Sequence, residues 1–267
     1  MEQVKVGLIG LGEVAQVVHL PVLEALGDRF AVHALCDVSP TLLTAMGDRY
    51  GVPDERRHAD FRTLDAIVVS HMHLDHVLDL LALRHALAYN PVQAPRPVPV
   101  WLPPGGAELL SRAVAPFDVC DEPGVFARTV RIQEYDPTLP LPIGDATVTF
   151  APAVHDLPSW AIRVDVGGSA FGYTGDTGPA ADLAGFFHGV NVLVAEATLL
   201  APGDRCFTER GSLTAGEAGA LGQAASAESL VLSHLWGELG FERAGEHASS
   251  AFAGPLLLAQ PGLSVEW

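Results

Sequence analysis

The chain has 267 residues, enough for one large or two modest domains, and 49% of them are hydrophobic, so a sizeable core can form. Its net charge is −17, a field that disfavours general binding to nucleic acids and membrane surfaces, although a local cationic site, bound metal included, can still hold one anionic group. Lys5 is the single lysine among 15 basic residues, which excludes any chemistry that needs a lysine further along.

"VKVGLIG" (4–10) reads as a buried strand, "EVAQVVHLPVLEALG" as a helix stopped by Gly27, and "FAVHALCD" (30–37) as a second strand. "SPTLLTAMGDRYG" (39–51) opens with a serine cap and Pro40 in the first turn and reads as a helix. "LDAIVVS" (64–70) is expected as the third strand of this series, giving right-handed parallel crossovers. A helix, "VLDLLALRHALAY", a proline-rich connector (91–100), a strand "VPVWLP" and a helix "GGAELLSRAV" follow. From 126 to 175 strand succeeds strand: "FARTVRIQEY", "ATVTFAPAVH", "WAIRVDV" and "SAFGYTGD". The remainder alternates: helix "GPAADLAGFFHG", strand "NVLVAEAT", helix "TAGEAGALGQAA", strand "SLVLSH" and helix "FERAGEHASSAF". There is no apolar run of membrane-spanning length and no signal-peptide pattern in "MEQVKVGLIG". Cys36, Cys120 and Cys206 are odd in number and far apart, so a reducing cytoplasm is the simplest setting.

"DAIVVSHMHLDHVLDLL" crowds His71, His73, Asp75 and His76 into six residues directly after an apolar strand. Imidazoles and carboxylates are the ligands that borderline divalent metals prefer. In an extended loop, positions i and i+2 point the same way, so His71 and His73 can grip one ion. Asp75 and His76, where a helix begins, can face a second. Three later fragments add His155 in "APAVHDLPSW", Asp176 in "GYTGDTGP" and His234 in "LVLSHLW", each at the C-terminal end of a strand pattern. Taken alone, each of these three reads more simply as a packed histidine or turn chemistry. With the cluster they make seven ligands in three-plus-three-plus-bridge proportions. His85, His188 and His247 fall outside the pattern and read as structural. Glu196 reads equally as a residue that orients a ligand imidazole or as a capping and packing group.

"SHMHLDH", His155, "TGDTGP" and "LSH" resemble the metallo-β-lactamase-fold hydrolases, from about residue 64 to the end. Order and spacing fit: 79 residues from His76 to His155, 21 on to Asp176 and 58 on to His234. The resemblance implies an α/β fold, an αββα sandwich. It implies that His71, His73 and His155 bind one metal, that Asp75, His76 and His234 bind the other, and that Asp176 bridges. Two divalent, zinc-like cations sharing a water would provide hydroxide near neutral pH, with Asp75 as its orienter and proton acceptor. "HDLPSWAIRV", "GYTGDTGP" and "AEATLL" look most like the ribonuclease Z-like branch. Two features depart from it: there is no room for a tRNA-gripping arm between 126 and 175, and "GSLTAGE" has Ser212 where that branch has a histidine. A small phosphodiester, ester or lactone is therefore the expected substrate. Nucleic acid and membrane are not expected as partners, and a homodimer is left open.

The first sixty residues differ in kind. "GLIGLGEVAQ" holds Gly10-x-Gly12-x-x-Ala15 between a strand and a helix, and Asp37 ends the second strand 25 residues after Gly12. That is a dinucleotide fingerprint in context. "VGLIGLGEVAQVVHLPVLEAL" with "VHALCDVSP" and "RYGVP" resembles the N-terminus of the glucose–fructose oxidoreductase and inositol dehydrogenase family, over about residues 1 to 62. That family's catalytic lysine has no counterpart here. The chain therefore reads as a Rossmann-like βαβαβ segment (1–63) joined to a metallo-β-lactamase-like region (64–267) in one continuous globular unit. NAD(P) is not expected to bind, because half of the usual crevice is missing. The alternatives are an NAD(P)-binding, oxidoreductase-like protein and a non-catalytic chimera that retains the metal site.

Overall fold

The computed structural model describes residues 4–9, 15–16, 20–27, 29–36, 39–58, 64–89, 96–118, 124, 128–204, 206–259, 263, 265 and 267. Three sheets organise them. At the front, β1 (Val4–Ile9), β2 (Phe30–Cys36) and β3 (Arg57–His58) run parallel in that order. They are joined through α1 (Leu20–Ala25) and α2 (Pro40–Tyr50). The α2 start follows its sequence: Ser39 caps the Leu42 amide and Pro40 occupies the first turn, while Gly51 closes the helix at φ +66°. Leu20, Leu35, Leu43 and Val52 form a small core of their own here.

The second sheet is parallel throughout: β4 (Ile67–Val68), β5 (Val98–Leu102) and β6 (Val130–Glu134). The third has seven strands in consecutive order. β7 (Leu141–Ile143), β8 (Ala146–Pro152), β9 (Trp160–Val166) and β10 (Ser169–Tyr173) are antiparallel neighbours. β11 (Val192–Glu196), β12 (Ser229–Ser233) and β13 (Leu256–Leu258) then add in parallel.

Alternation along the strands builds the layers. Val98, Val100 and Leu102 face one way, with Ile67 and Val69. They pack with Leu80 and Leu87 of α4 (Asp79–Tyr89) and Leu110 and Val114 of α5 (Gly106–Asp118). The intervening Val68 and Trp101 face the other way and meet Val148, Phe150, Ile162 and Tyr173 of the third sheet. On that sheet's far side, Leu193, Ala195, Leu230 and Leu232 pack with Ala218 of α6 (Ala215–Ala224) and Ala244 and Ala248 of α7 (Phe241–Ser249). Helices outside and two sheets within give the expected αββα layering.

Three expectations are corrected. The strand at 64–70 does not complete the front sheet; its β4 portion pairs with β5, and Arg57–His58 takes the third place beside β2. "GPAADLAGFFHG" is a succession of turns rather than a helix. Leu183 and Phe187 are buried from it all the same, and the backbone at Gly178 lies so close to the Arg210 carbonyl that a Cβ there would clash with the oxygen. Tertiary docking has displaced the local helical pattern. β13 carries no alternation and was not expected. No helix among the described residues is long and apolar enough to cross a membrane.

Candidate metal centre

The site forms at the C-terminal ends of β4, β8, β10 and β12. After Val68 the chain leaves the strand, bends at Ser70 and carries His71 and His73 on irregular backbone, extended at His73, which caps the start of a short helix α3 (Leu74–Val77). The Tyr135 hydroxyl donates to the carbonyls of Val69 (2.9 Å) and Ser70 (3.3 Å), and the Trp160 amide also donates to the Ser70 carbonyl at 3.2 Å. Burial raises the Tyr135 phenol well above the usual range, so it stays a donor. The backbone leading into His71 is thereby pinned from two directions.

The structure brings all seven sequence-selected residues into two adjoining clusters. His71, His73, His155 and Asp176 form one, and Asp75, His76, Asp176 and His234 the other, with donor atoms within 4.8 Å of one another in each. In the first, His73 Nδ1 stands 3.1 Å from His71 Nε2 and 2.9 Å from His155 Nε2, and Asp176 Oδ2 lies 3.6 Å and 3.8 Å from those two Nε2 atoms. In the second, Asp75 Oδ2 is 3.4 Å from His76 Nε2 and 3.3 Å from His234 Nε2. Asp176 reaches this cluster with Oδ1 3.5 Å from His76 and Oδ2 3.4 Å from His234. Four ligands around a zinc ion at about 2.0–2.1 Å stand roughly 3.3–3.4 Å apart, the scale of these separations.

The donor chemistry fits a cation. Ring nitrogens with their lone pairs turned on one point repel unless a positive charge sits between them. His76 Nε2 and Asp176 Oδ1 are buried and make no hydrogen bond, facing each other across 3.5 Å, a gap that an ion between them would fill while satisfying both. Burial, with the neighbouring His76 second, pushes His71 down to about 4, so its imidazole is neutral and free to ligate. Burial also works against charge on His76, but the attraction of Asp176, Asp75 and Glu196 outweighs it and leaves His76 above the usual histidine range. Asp176 lies below the usual carboxylate range, because His76, His234 and His71 outweigh its burial.

A second layer fixes the ring orientations. His155 Nδ1–H donates to the Gly211 carbonyl at 2.7 Å, which leaves Nε2 for the cluster. His71 Nδ1 meets Ser70 Oγ at 3.1 Å. His234 Nδ1–H donates to Thr198 Oγ1 at 2.7 Å, and that hydroxyl donates to Glu196 Oε2 at 2.7 Å. Glu196 Oε1 accepts the amide of Thr177, next to Asp176, at 2.8 Å. Burial pushes the Glu196 carboxyl up to about 7 against the bonds it receives from Thr198 and Thr177. Glu196 thus reaches the His234 imidazole through Thr198, while its other oxygen takes the Thr177 amide. His234 itself sits at φ +56°, a left-handed backbone that turns its ring from β12 toward the cluster.

Sequence reading missed Thr198, Tyr135 and the Gly211 carbonyl. Thr198 meets His234 because β11 and β12 pair in the register Glu196 with Ser233, and no local pattern announces that. Gly10, Gly12 and Asp37 lie outside the described residues. His85 is away from the clusters, its ring 4.5 Å from that of Tyr89. A cavity of about 580 Å³ adjoins the second cluster; Val68, Leu80, Leu83, Tyr173, Ser70 and His76 are among its walls.

The sequence model of the β-lactamase superfamily domain matches residues 33–235, a span that holds every residue of both clusters. The chain belongs to that family. The match begins inside β2, so the family likeness reaches into the segment set apart as residues 1–63. The probable metallo-hydrolase YhfI of Bacillus subtilis (strain 168) is 28% identical over 204 residues, 76% of this chain and 79% of that protein. A crystal structure of YhfI has a TM-score of 0.59 at 23% identity, covering 85% of each chain. A diphosphatase from the PhnP family gives 0.60 at 18% identity, over 87% of this chain and 79% of the other. Zinc-bound PqqB from Methylobacterium extorquens gives 0.58 at 18% identity, over 87% and 82%. These likenesses agree on the fold. This β-lactamase superfamily protein is a metal-dependent hydrolase by family.

Proposed function

We propose that the protein is a dinuclear metal-dependent hydrolase acting on a small phosphodiester, ester or lactone. His71, His73 and His155 would hold one cation, Asp75, His76 and His234 the other, and Asp176 would bridge them. The observation that carries this reading is the pair of clusters meeting at Asp176, with its Oδ1 and His76 Nε2 buried and making no hydrogen bond. The nitrogen-rich donor set and the tetrahedral scale of the separations favour zinc, and zinc-bound PqqB shares the fold.

Two bound cations would supply hydroxide near neutral pH and a Lewis acid for the oxygen on which charge develops. The chain's own side chains do the rest. Asp75 is the most exposed of the donors, so it can meet both the nucleophile and the substrate at the mouth and accept the attacking water's proton. Asp176, buried and held by Ser159 Oγ donating to its carbonyl at 3.0 Å, keeps a fixed position between the clusters. Glu196 acts through Thr198 to hold His234 in the tautomer that turns Nε2 inward.

The Rossmann-like reading of residues 1–63, beside a hydrolase region at 64–267, draws support from the parallel β1–β2–β3 order with its intervening helices; the family match from residue 33 argues against a sharp boundary. NAD(P) is not proposed as a cofactor, and the net charge weighs against a nucleic-acid substrate.

Elemental analysis after metal-replete expression, paired with a screen of phosphodiesters, esters and lactones, tests the function. We expect about two zinc-like ions per chain and turnover that stops on chelation and returns with zinc. Metal well below one ion per chain, or full occupancy with no turnover of any of the three substrate types, refutes it.

A further inference from the structure

β4 runs toward the metal centre and α4 runs away from it. Ser70, just past β4, meets His71 Nδ1 at 3.1 Å, and His76, just before α4, is itself a donor of the second cluster. The cavity of about 580 Å³ lies between these two elements. Leu64, Ile67 and Val68 form its strand side, and among the described residues no strand pairs with β4 there. Asp79, Ala82, Leu83 and Ala86 form its helix side. Those positions recur at i, i+3, i+4 and i+7, so they make one stripe of α4, about 10 Å long. Alanine at two of the four places leaves room that larger side chains would close.

The lining is sorted by depth. Ser70, His76 and Tyr173 stand at the metal end; Tyr173 closes β10, three residues before Asp176. Burial pushes the Tyr173 phenol up to about 12, so its hydroxyl keeps its proton. Asp79, about one turn past His76, is exposed and marks the way to solvent. Beyond that turn every lining side chain among the described residues is aliphatic. A cavity of this size accommodates a small ligand. A polar group carried to its far end would shed water and meet no polar side chain, whereas an apolar one gains from burial.

Resting on the hydrolase reading above, we propose that this cavity is a channel for an acyl or alkyl chain. The substrate's apolar tail lies between β4 and α4, and its scissile group stands at the second cluster. The substrate class narrows to esters, lactones or phosphodiesters that carry an apolar tail of several carbons beside the reacting group. Ala86, at the far end of the stripe, is the specificity-determining residue, because its small side chain sets how long a tail can enter.

Calorimetric titration of the zinc-loaded protein with methyl-, butyl- and hexylphosphonate reads the channel without requiring turnover. Affinity is expected to rise about 2–4-fold for each methylene that enters. Ala86→Phe, which puts a ring into the far end, should flatten the rise from butyl to hexyl while methylphosphonate affinity and metal content stay unchanged. A hexylphosphonate with a terminal diazirine should label residues 64–68 or 79–86 on irradiation, a readout in the unmodified protein that stands even where the variant fails to fold. A flat series, a rise that Ala86→Phe leaves intact, or label elsewhere would each overturn the channel. Hydrolysis of p-nitrophenyl acetate and hexanoate, and of methyl and hexyl p-nitrophenyl phosphate, judges the other reading. A chain-length rise in binding without turnover supports the channel while counting against the hydrolase; turnover with no chain-length preference does the reverse.

Discussion

Thr198→Val isolates one link in the second layer. The Thr198 hydroxyl sits 2.7 Å from His234 Nδ1 and 2.7 Å from Glu196 Oε2, and valine keeps the shape while removing both bonds. Each such bond contributes about 0.5–1.5 kcal/mol net, more where a charged group takes part. Losing both is worth about 1.5–3 kcal/mol, and the His234 ring becomes free to change tautomer and rotate. Because the same ring has to be ordered before it ligates, most of that loss should appear as weaker metal binding, about 10–100-fold. The first cluster orients His155 through the Gly211 carbonyl and His71 through Ser70, so it should not respond. Competition against a graded series of chelators should show two release steps, with one moved to weaker chelators and the other unmoved. Thr198→Ser should restore the first. Two steps shifted together, or neither shifted, would refute the reasoning that Thr198 serves His234 alone.

Three further outcomes follow from the same geometry. His155→Ala should remove one ion per chain, whereas Asp176→Asn should loosen both, read by elemental analysis after dialysis; equal losses in the two variants would contradict the shared position of Asp176. Tyr135→Phe keeps the ring stacked on Phe150 at 4.0 Å but gives up the bonds to the Val69 and Ser70 carbonyls. It should cost about 1–2 kcal/mol, or a few degrees in Tm, and an unchanged Tm would show that those bonds are not made. Gly178→Ala sets a Cβ in clash with the Arg210 carbonyl oxygen, so backbone must shift, and we expect a loss above about 2 kcal/mol by denaturant unfolding. Wild-type stability would mean that the 176–178 turn and the 206–211 loop are further apart than described.

What was legible in the sequence depended on how local the signal is. "SHMHLDH" announces itself because four ligand-type residues fall in six positions, and the i, i+2 rule for extended backbone is a local rule. The parallel front strands were equally visible, their apolar runs bounded by a serine–proline start and glycine stops. Pairing was not. Nothing in "LDAIVVS" says that Ile67 lies beside Val100 rather than beside the front sheet, because that choice is made by Val68 and Trp101 finding the aromatic face of the third sheet. The 178–189 segment misled in the opposite way. Leu183 and Phe187 have helical spacing, yet turns bury the same two side chains while leaving Gly178 free to touch Arg210. The supporting layer of the site was hidden for the same reason as the pairing: Thr198 and Gly211 act on histidines 36 and 56 residues away.

None of the seven donors comes from β1, β2 or β3; the earliest is His71, and the front sheet keeps a small core to itself. The front sheet can therefore bear on the chemistry only through packing and stability, not through a donor of its own.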